Sequence, residues 1–441
     1  MKAHLSNAAY GVFDYAAHPI GMLLIAPVLL HRLGVAQYGL WIVATAAVST
    51  GGIIASGFGD ANIQHIATLR SRGDSAEIGR TVRSTMGINL LLGATLTAAF
   101  WILTPTLASH VASGNSGLQN ACLWSLRIAS LLMLVRAVES VCISTQRAFE
   151  RYGAAVRISI FARLVTLAAA VLLTLCGLGV VSIMIATAAF MILGTAAQLI
   201  ALRKHLSLES LLPSFDRTAT AALFGFGVFS WIQAVSGVVF SQSDRLILGV
   251  SSGAASVTAY ALCVQMAQPI YGIAASGLHF LFPYLSGRQA NTPLPTLKKN
   301  ILFAFSINLL LISVETAAAL LFGRPILRMW VGDEISQSAS VVLAPIVWSF
   351  ALLGLNVTGY YTMLALGHVR IVTWLNLAGG ASMLLTMGLL LPHMGIRGIA
   401  LARLVYGLSA LLLYLPLIRL LRTTSTACLP VAGPCAVCED V

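Results

Sequence analysis

Apolar runs of about 20 residues recur along this whole chain, and a run of that length suits a helix crossing a bilayer's hydrocarbon core. Twelve can be drawn, at approximately 11–32, 38–59, 85–108, 119–144, 155–176, 180–201, 220–242, 256–282, 300–322, 337–361, 370–391 and 396–419. A soluble core cannot absorb so many. Only 9% of the 441 residues are charged, against about 25% in soluble domains. The chain therefore reads as all-α and polytopic, each run satisfying its backbone polar groups within its own helix. Pro19 and Pro27 predict a kink in the first run. Asp14 and His18 interrupt it, so it reads as a retained span and not as a cleaved leader. The stretch Ala221–Val250 has room for a longer helix than the one drawn.

The formal net charge of +12 sits between the runs, so it speaks of topology and not of nucleic acid. With the N-terminus inside, the inner segments carry 17 basic residues. The outer ones carry five, Arg32, Arg245, Arg324, Arg328 and Arg397, and four arginines remain within runs. This asymmetry predicts an even number of spans with both termini cytoplasmic. The basic segments also favour anionic lipid.

The two halves echo each other. Tyr10-Gly11-Val12-Phe13 recurs as Phe226-Gly227-Val228-Phe229, Leu33-Gly34-Val35 as Leu248-Gly249-Val250, and Leu178-Gly179-Val180 as Met394-Gly395-Ile396, at offsets of 215 or 216. Six spans per half keep both halves in one orientation, which makes parallel repeats about an axis along the membrane normal. The expected organisation is an N-terminal six-helix bundle over 1–202, a cytoplasmic linker over 203–219, a C-terminal bundle over 220–420 and a tail over 421–441. Two bundles facing one cleft suit alternating access.

Ionisable groups inside spans cost about 2.5–3.5 kcal/mol each on insertion scales and mark wet cavities or pairs. The candidates are Arg127, Arg136, Arg163 and Arg403, with Asp14, Glu139, Glu315 and Asp244 as acids. Arg136 and Glu139 are three apart and can pair, as a neutralised structural pair or as part of a cavity. Arg127, nine residues before Arg136, faces away from it. For Arg163 and Arg403 snorkelling to the headgroups competes with a cavity role. Asp14 and His18, four apart, can share a proton and serve coupling, or form an interfacial pair at a helix start; Glu315 is a further coupling candidate. Asp244-Arg245 is either a cavity pair or the mark of the outer water interface. The sharpest expectation puts Arg136 in the central cavity with Asp244 across from it and Arg163 or Arg403 adding positive potential.

Cys122, Cys142, Cys176 and Cys263 read as small core residues within apolar runs. Cys435 and Cys438 have metal-ligand spacing but lack further ligands, so no metal and no cofactor are expected. Walker A, His-Glu-x-x-His and Gly-x-Ser-x-Gly patterns are missing from the sequence, and the outer connections are too short for a catalytic domain, so an enzyme is not expected.

The loops carry a further signal. Leu33-Gly34 precedes Tyr38-Gly39-Leu40-Trp41; Gly57 to Ala67 forms a glycine and alanine pattern; Ser243-Asp244-Arg245 is followed by Gly249 and Tyr260. Phe282-Pro283-Tyr284-Leu285-Ser286, Gly323-Arg324-Pro325-Ile326-Leu327 with Trp330 and Gly332, Leu366-Gly367-His368-Val369-Arg370 and Gly395-Ile396-Arg397-Gly398 complete the set. Together these resemble the Wzx-type oligosaccharide flippases, of the superfamily that holds the multidrug and toxin extruders and the lipid II flippases. The resemblance covers about residues 8–420. It implies a flippase of undecaprenyl-diphosphate-linked sugar repeat units in the inner membrane, serving exopolysaccharide or O-antigen synthesis. It also implies a cationic cavity, and polysaccharide polymerase and chain-length proteins as partners. Guanidinium groups suit the diphosphate. A cation-coupled drug or metabolite exporter of the same fold is the alternative, for which acids in the cleft are expected. A membrane glycosyltransferase or polymerase ranks third.

Overall fold

The computed structural model describes residues 21–22, 24–55, 58–112, 115–149, 152–206, 211–278, 281, 285 and 294–423. Eight of the described helices are long and apolar enough to cross a membrane by length and composition. Two of them are doubled. Arg217–Gly277 leaves helical geometry at Gly253 (φ 78°, ψ 172°). The Tyr260 hydroxyl reaches Asp244 Oδ2 at 2.6 Å, although 16 residues of straight helix would part them by about 24 Å. The chain therefore reverses at Gly253. Leu294–Ala365 does the same at Gly332 (φ 77°, ψ 176°), since Leu343 packs against Gly323.

Counting the arms gives twelve helices in alternating order among the described residues. The first is the short apolar helix Leu24–Leu33. The second to sixth are Val35–Ala55, Ser75–Val111, Ser116–Ala148, Tyr152–Leu175 and Val180–Leu206. The two doubled helices supply the seventh to tenth. The eleventh is Val369–Met394, and the twelfth starts as Ile396–Ala410 and runs through a 3-10 turn into Tyr414–Thr423. Alternation puts the turn glycines Gly34, Gly177, Gly253, Gly332 and Gly395, all with positive φ, at one end of the bundle. Positive φ is where glycine costs least. The opposite, basic end carries Arg80, Arg83, Arg203, Lys298 and Arg370.

Several boundaries differ from the sequence reading. The expected second run, 38–59, is the helix Val35–Ala55 followed by a separate amphipathic helix, Gly59–Arg72. Gly73 ends that helix in the left-handed conformation, and Asp74 caps the next by accepting from the Glu77 N–H at 3.0 Å. The third span starts about ten residues early because Ile78, Val82 and Met86 pack against Ile66 and Leu69 of this amphipathic helix. Single-glycine turns at Gly253 and Gly332 leave no room for the longer outer connections. Arg245, Arg324 and Arg328, expected there, are helical. The halves repeat in their turns: Gly34 and Gly253 are 219 positions apart, and Gly177 and Gly395 are 218 apart. Gly249, matched to Gly34 by sequence, lies inside the seventh span against Val43. Cys176 is exposed at a turn and is no core residue, whereas Cys122, Cys142 and Cys263 are buried.

The second and eighth spans meet along the centre. A Cβ on Gly39 would stand 1.9 Å from the Ala254 carbonyl oxygen. Thr258 donates to the Val35 carbonyl at 2.7 Å, and the Gln265 amide to the Tyr38 hydroxyl at 3.1 Å. These contacts close the two halves together at the glycine-turn end. At the basic end Trp231 donates to the Ile54 carbonyl at 2.9 Å. The segment before the seventh span is tied to the third: Ser214 N–H donates to the Arg83 carbonyl and Asp216 N–H to the Ser84 hydroxyl. Asp216 caps the seventh span, and the Ala219 N–H, followed by the Thr218 hydroxyl, holds its carboxyl below the ordinary carboxylate range.

Candidate functional site

Beneath the closed end lies a cavity of about 690 Å³. The seventh, eighth, tenth, eleventh and twelfth spans line most of it, and Ile42, Thr45 and Ser49 of the second span face them from the other half. Its lining reaches Ala275 and Tyr360, close to the ends of the eighth and tenth spans at the basic end.

The roof is polar and tightly bonded. Asp244 is fully buried. It receives the Tyr260 hydroxyl at 2.6 Å, the Arg245 backbone N–H at 2.8 Å and the guanidinium of Arg403. Burying a carboxylate demands this combination of donors on its oxygens and a full counter-charge in contact. Arg403 also stacks over the Phe350 ring at 4.6 Å. Arg245 reaches Gln242 Oε1 at 3.3 Å. Arg245 and Arg403 each stand eight residues from their turn glycines, Gly253 and Gly395, or about 12 Å down the helix. At that depth a guanidinium needs water, a counter-charge or an anionic ligand.

Below the roof the lining is neutral and polar. Gln265, Gln268 and Tyr271 descend the eighth span, with Asn356, Tyr360 and Asn376 opposite. Among the described lining residues Arg245 and Arg403 are the only charged ones, and none of them is a carboxylate. The arrangement can accept an anion at its roof and hydrogen-bond a neutral polar group below.

The sequence candidates divide accordingly. Asp244 and Arg403 meet each other, with Arg403 in the lining and Asp244 behind it. Arg136 is not among the lining residues; it donates to Glu139 at 2.8 Å, and its stem lies against Gly52. Arg127 sits between two indoles, 5.0 Å from the Trp101 ring and 5.3 Å from the Trp124 ring, both of them exposed on the outer surface. Arg163 is half-buried on the fifth span and Glu315 on the ninth, away from the cavity, with one Glu315 oxygen buried and unbonded. Asp14 and His18, and Cys435 and Cys438, lie outside the described residues.

Sequence reasoning missed the amide belt. It left Arg245 open between a cavity pair with Asp244 and the outer interface while counting it with the outer connections; the longer helix that Ala221–Val250 had room for carries it into the cavity lining. Also missed is a buried polar network in the N-terminal half, where Asn62 donates to Ser144 at 2.8 Å and Thr145 at 3.0 Å and accepts from Thr85 at 3.1 Å. Neutral polar residues in apolar runs give no periodic signal.

A family model described as "Polysaccharide biosynthesis protein" matches residues 29–307. The chain belongs to that family. No curated protein matches the sequence. The fold is similar to an inward-facing multidrug resistance MATE family transporter of the MOP superfamily: 14% identity, TM-score 0.76, covering 94% of this chain and 100% of that one. It is also similar to the lipid II flippase MurJ in an inward closed conformation: 14% identity, TM-score 0.74, covering 94% of this chain and 87% of that one. A MOP superfamily transporter from Pyrococcus furiosus, described as having a binding pocket of reverse polarity, matches at TM-score 0.56 with 16% identity, covering 94% and 97%. This member of the polysaccharide biosynthesis family is thus a multi-pass membrane protein with the MOP transporter fold. The loop motifs that carried the resemblance have physical roles in it: Gly34, Gly332, Gly367 and Gly395 make turns, Gly39 makes the close approach between halves, and Asp244 and Tyr260 build the roof.

Proposed function

We propose that this protein moves undecaprenyl-diphosphate-linked oligosaccharide repeat units from the inner to the outer leaflet of the cytoplasmic membrane, by alternating access between its two halves. One observation carries the reading: the cavity is roofed by Arg245 and Arg403, and among the described residues no carboxylate lines it. A cationic drug entering it would meet like charge. A diphosphate would meet guanidinium forks at reduced dielectric, where charge-assisted hydrogen bonds are strong. Membership of the polysaccharide biosynthesis family supports the same choice. On this reading both termini are cytoplasmic, the basic end is the cytoplasmic end, and the polymerase and chain-length proteins of exopolysaccharide or O-antigen synthesis act next. The protein itself catalyses no covalent step.

The test is deletion of the gene followed by analysis of lipid-linked intermediates and surface polysaccharide. Loss of surface polysaccharide with intermediates retained on the inner leaflet is expected, and Arg245→Ala is expected to reproduce it. Unchanged polysaccharide together with new sensitivity to cationic dyes would overturn the reading in favour of a cation-coupled exporter.

A further inference from the structure

We infer, resting on the diphosphate-lipid reading of this same cavity, that the sugars it accommodates are uncharged and that acidic sugars such as uronates are rejected. Among the described residues, two guanidiniums less the one buried carboxylate leave the roof a single net positive charge. A diphosphate brings more negative charge than that. No described cation is left over for a carboxylate lower down, because the described lining below the roof holds no charged residue.

The belt is instead matched to hydroxyl groups. Gln265, Gln268 and Tyr271 recur at intervals of three along one span, so their side chains form a ladder down one face. Asn356 and Asn376 face the cavity from other spans. A side-chain amide both donates and accepts, as a sugar hydroxyl does. Tyrosine adds an apolar ring face and a hydroxyl. A carboxylate in the belt would lose its water and gain no counter-charge, the least favourable way to bury an ion. The volume of about 690 Å³ falls within the roughly 300–1,000 Å³ of small-ligand sites. It suits a headgroup of a few rings and not a polymer.

The test measures binding to the full-length protein in lipid nanodiscs by native mass spectrometry. Three probes are used: undecaprenyl diphosphate alone, the same lipid carrying a neutral disaccharide, and the same lipid with the terminal hexose replaced by its uronate. The neutral disaccharide is expected to tighten binding at least tenfold over the bare lipid, and the uronate to add nothing. Asn376→Arg and, separately, Gln268→Arg are expected to tighten the uronate probe at least tenfold more than they tighten the bare lipid. Binding of the bare lipid with the uronate equal to or tighter than the neutral probe overturns this inference alone. So does a neutral disaccharide that adds no affinity. Failure of the bare lipid to bind overturns the diphosphate reading and this inference with it.

Discussion

Asp244 and Arg403, 159 positions apart in sequence, form an ion pair in which the carboxylate is fully buried and the guanidinium is 7% exposed. It ties the seventh span to the twelfth, and the Tyr260 hydroxyl brings in the eighth. Removing one partner of a buried pair strands the other, a loss of about 3–5 kcal/mol, whereas replacing both with apolar residues of similar size is often neutral. Arg403→Ala should therefore lower the unfolding midpoint of the purified protein sharply. Asp244→Leu with Arg403→Met should recover most of that midpoint while diphosphate-lipid binding stays weak. A double variant as unstable as Arg403→Ala would mean that the pair is not the cause.

Gly39 predicts a conformational effect. Its Cβ would fall 1.9 Å from a backbone oxygen, that of Ala254, and backbone cannot swing aside as a flexible side chain can. Gly39→Ala should prop the second and eighth spans apart at the glycine-turn end and break the Thr258–Val35 and Tyr38–Gln265 hydrogen bonds. A cysteine introduced at Gln268, a lining residue about one turn deeper on the eighth span, should then be labelled by a membrane-impermeant maleimide from that side, and remain protected when Gly39 is intact. Equal labelling in both backgrounds would show that this contact does not close the end.

These two cases also show what the sequence made legible. Spans are set by apolar length, and turn motifs by the few residues that tolerate positive φ, so twelve crossings and the loop resemblance were readable. Asp244 and Arg403 were readable as misplaced charges, because lipid penalises them individually. Their pairing was not, since nothing local relates residues 159 apart. Arg136 found its partner three residues on, a relationship sequence does encode, yet its cavity role was argued from depth alone, and depth does not say which way a helix face points. Arg245 was left between cavity and outer interface because a single-glycine turn, Gly253, extends the helix past where hydropathy fades.

Arg136 can be separated from binding. Its guanidinium meets Glu139, and the two side chains are 34% and 10% exposed. Arg136→Ala leaves Glu139, largely buried, without its counter-charge and should reduce membrane abundance. Arg136→Lys keeps the charge and should preserve it. Protein purified from either variant should bind undecaprenyl diphosphate within about twofold of the parent, while Arg245→Ala should lose at least tenfold, about 1.4 kcal/mol. A tenfold binding loss in Arg136→Lys at normal abundance would place this residue on the substrate's path instead.

Two glycines with equally open surroundings should respond in opposite directions. No heavy atom lies within 4 Å of a Cβ built on either Gly332 or Gly388, so neither substitution meets a clash. The difference is backbone. Gly332 holds φ 77° and ψ 176° at the reversal between the ninth and tenth spans, a region open essentially to glycine alone and costing other residues on the order of 1–3 kcal/mol. Gly388 lies inside the regular helix Val369–Met394, where alanine is better than glycine by about 0.5–1 kcal/mol. Gly332→Ala should lower the unfolding midpoint in detergent, and Gly388→Ala should leave it unchanged or raise it. The stakes at Gly332 exceed local strain, because a chain that fails to reverse there would carry the tenth span out of the bundle and away from Phe350 and Asn356, which line the cavity. Equal midpoints for the two variants would show that the reversal tolerates an ordinary residue and that the glycine is not what sets it.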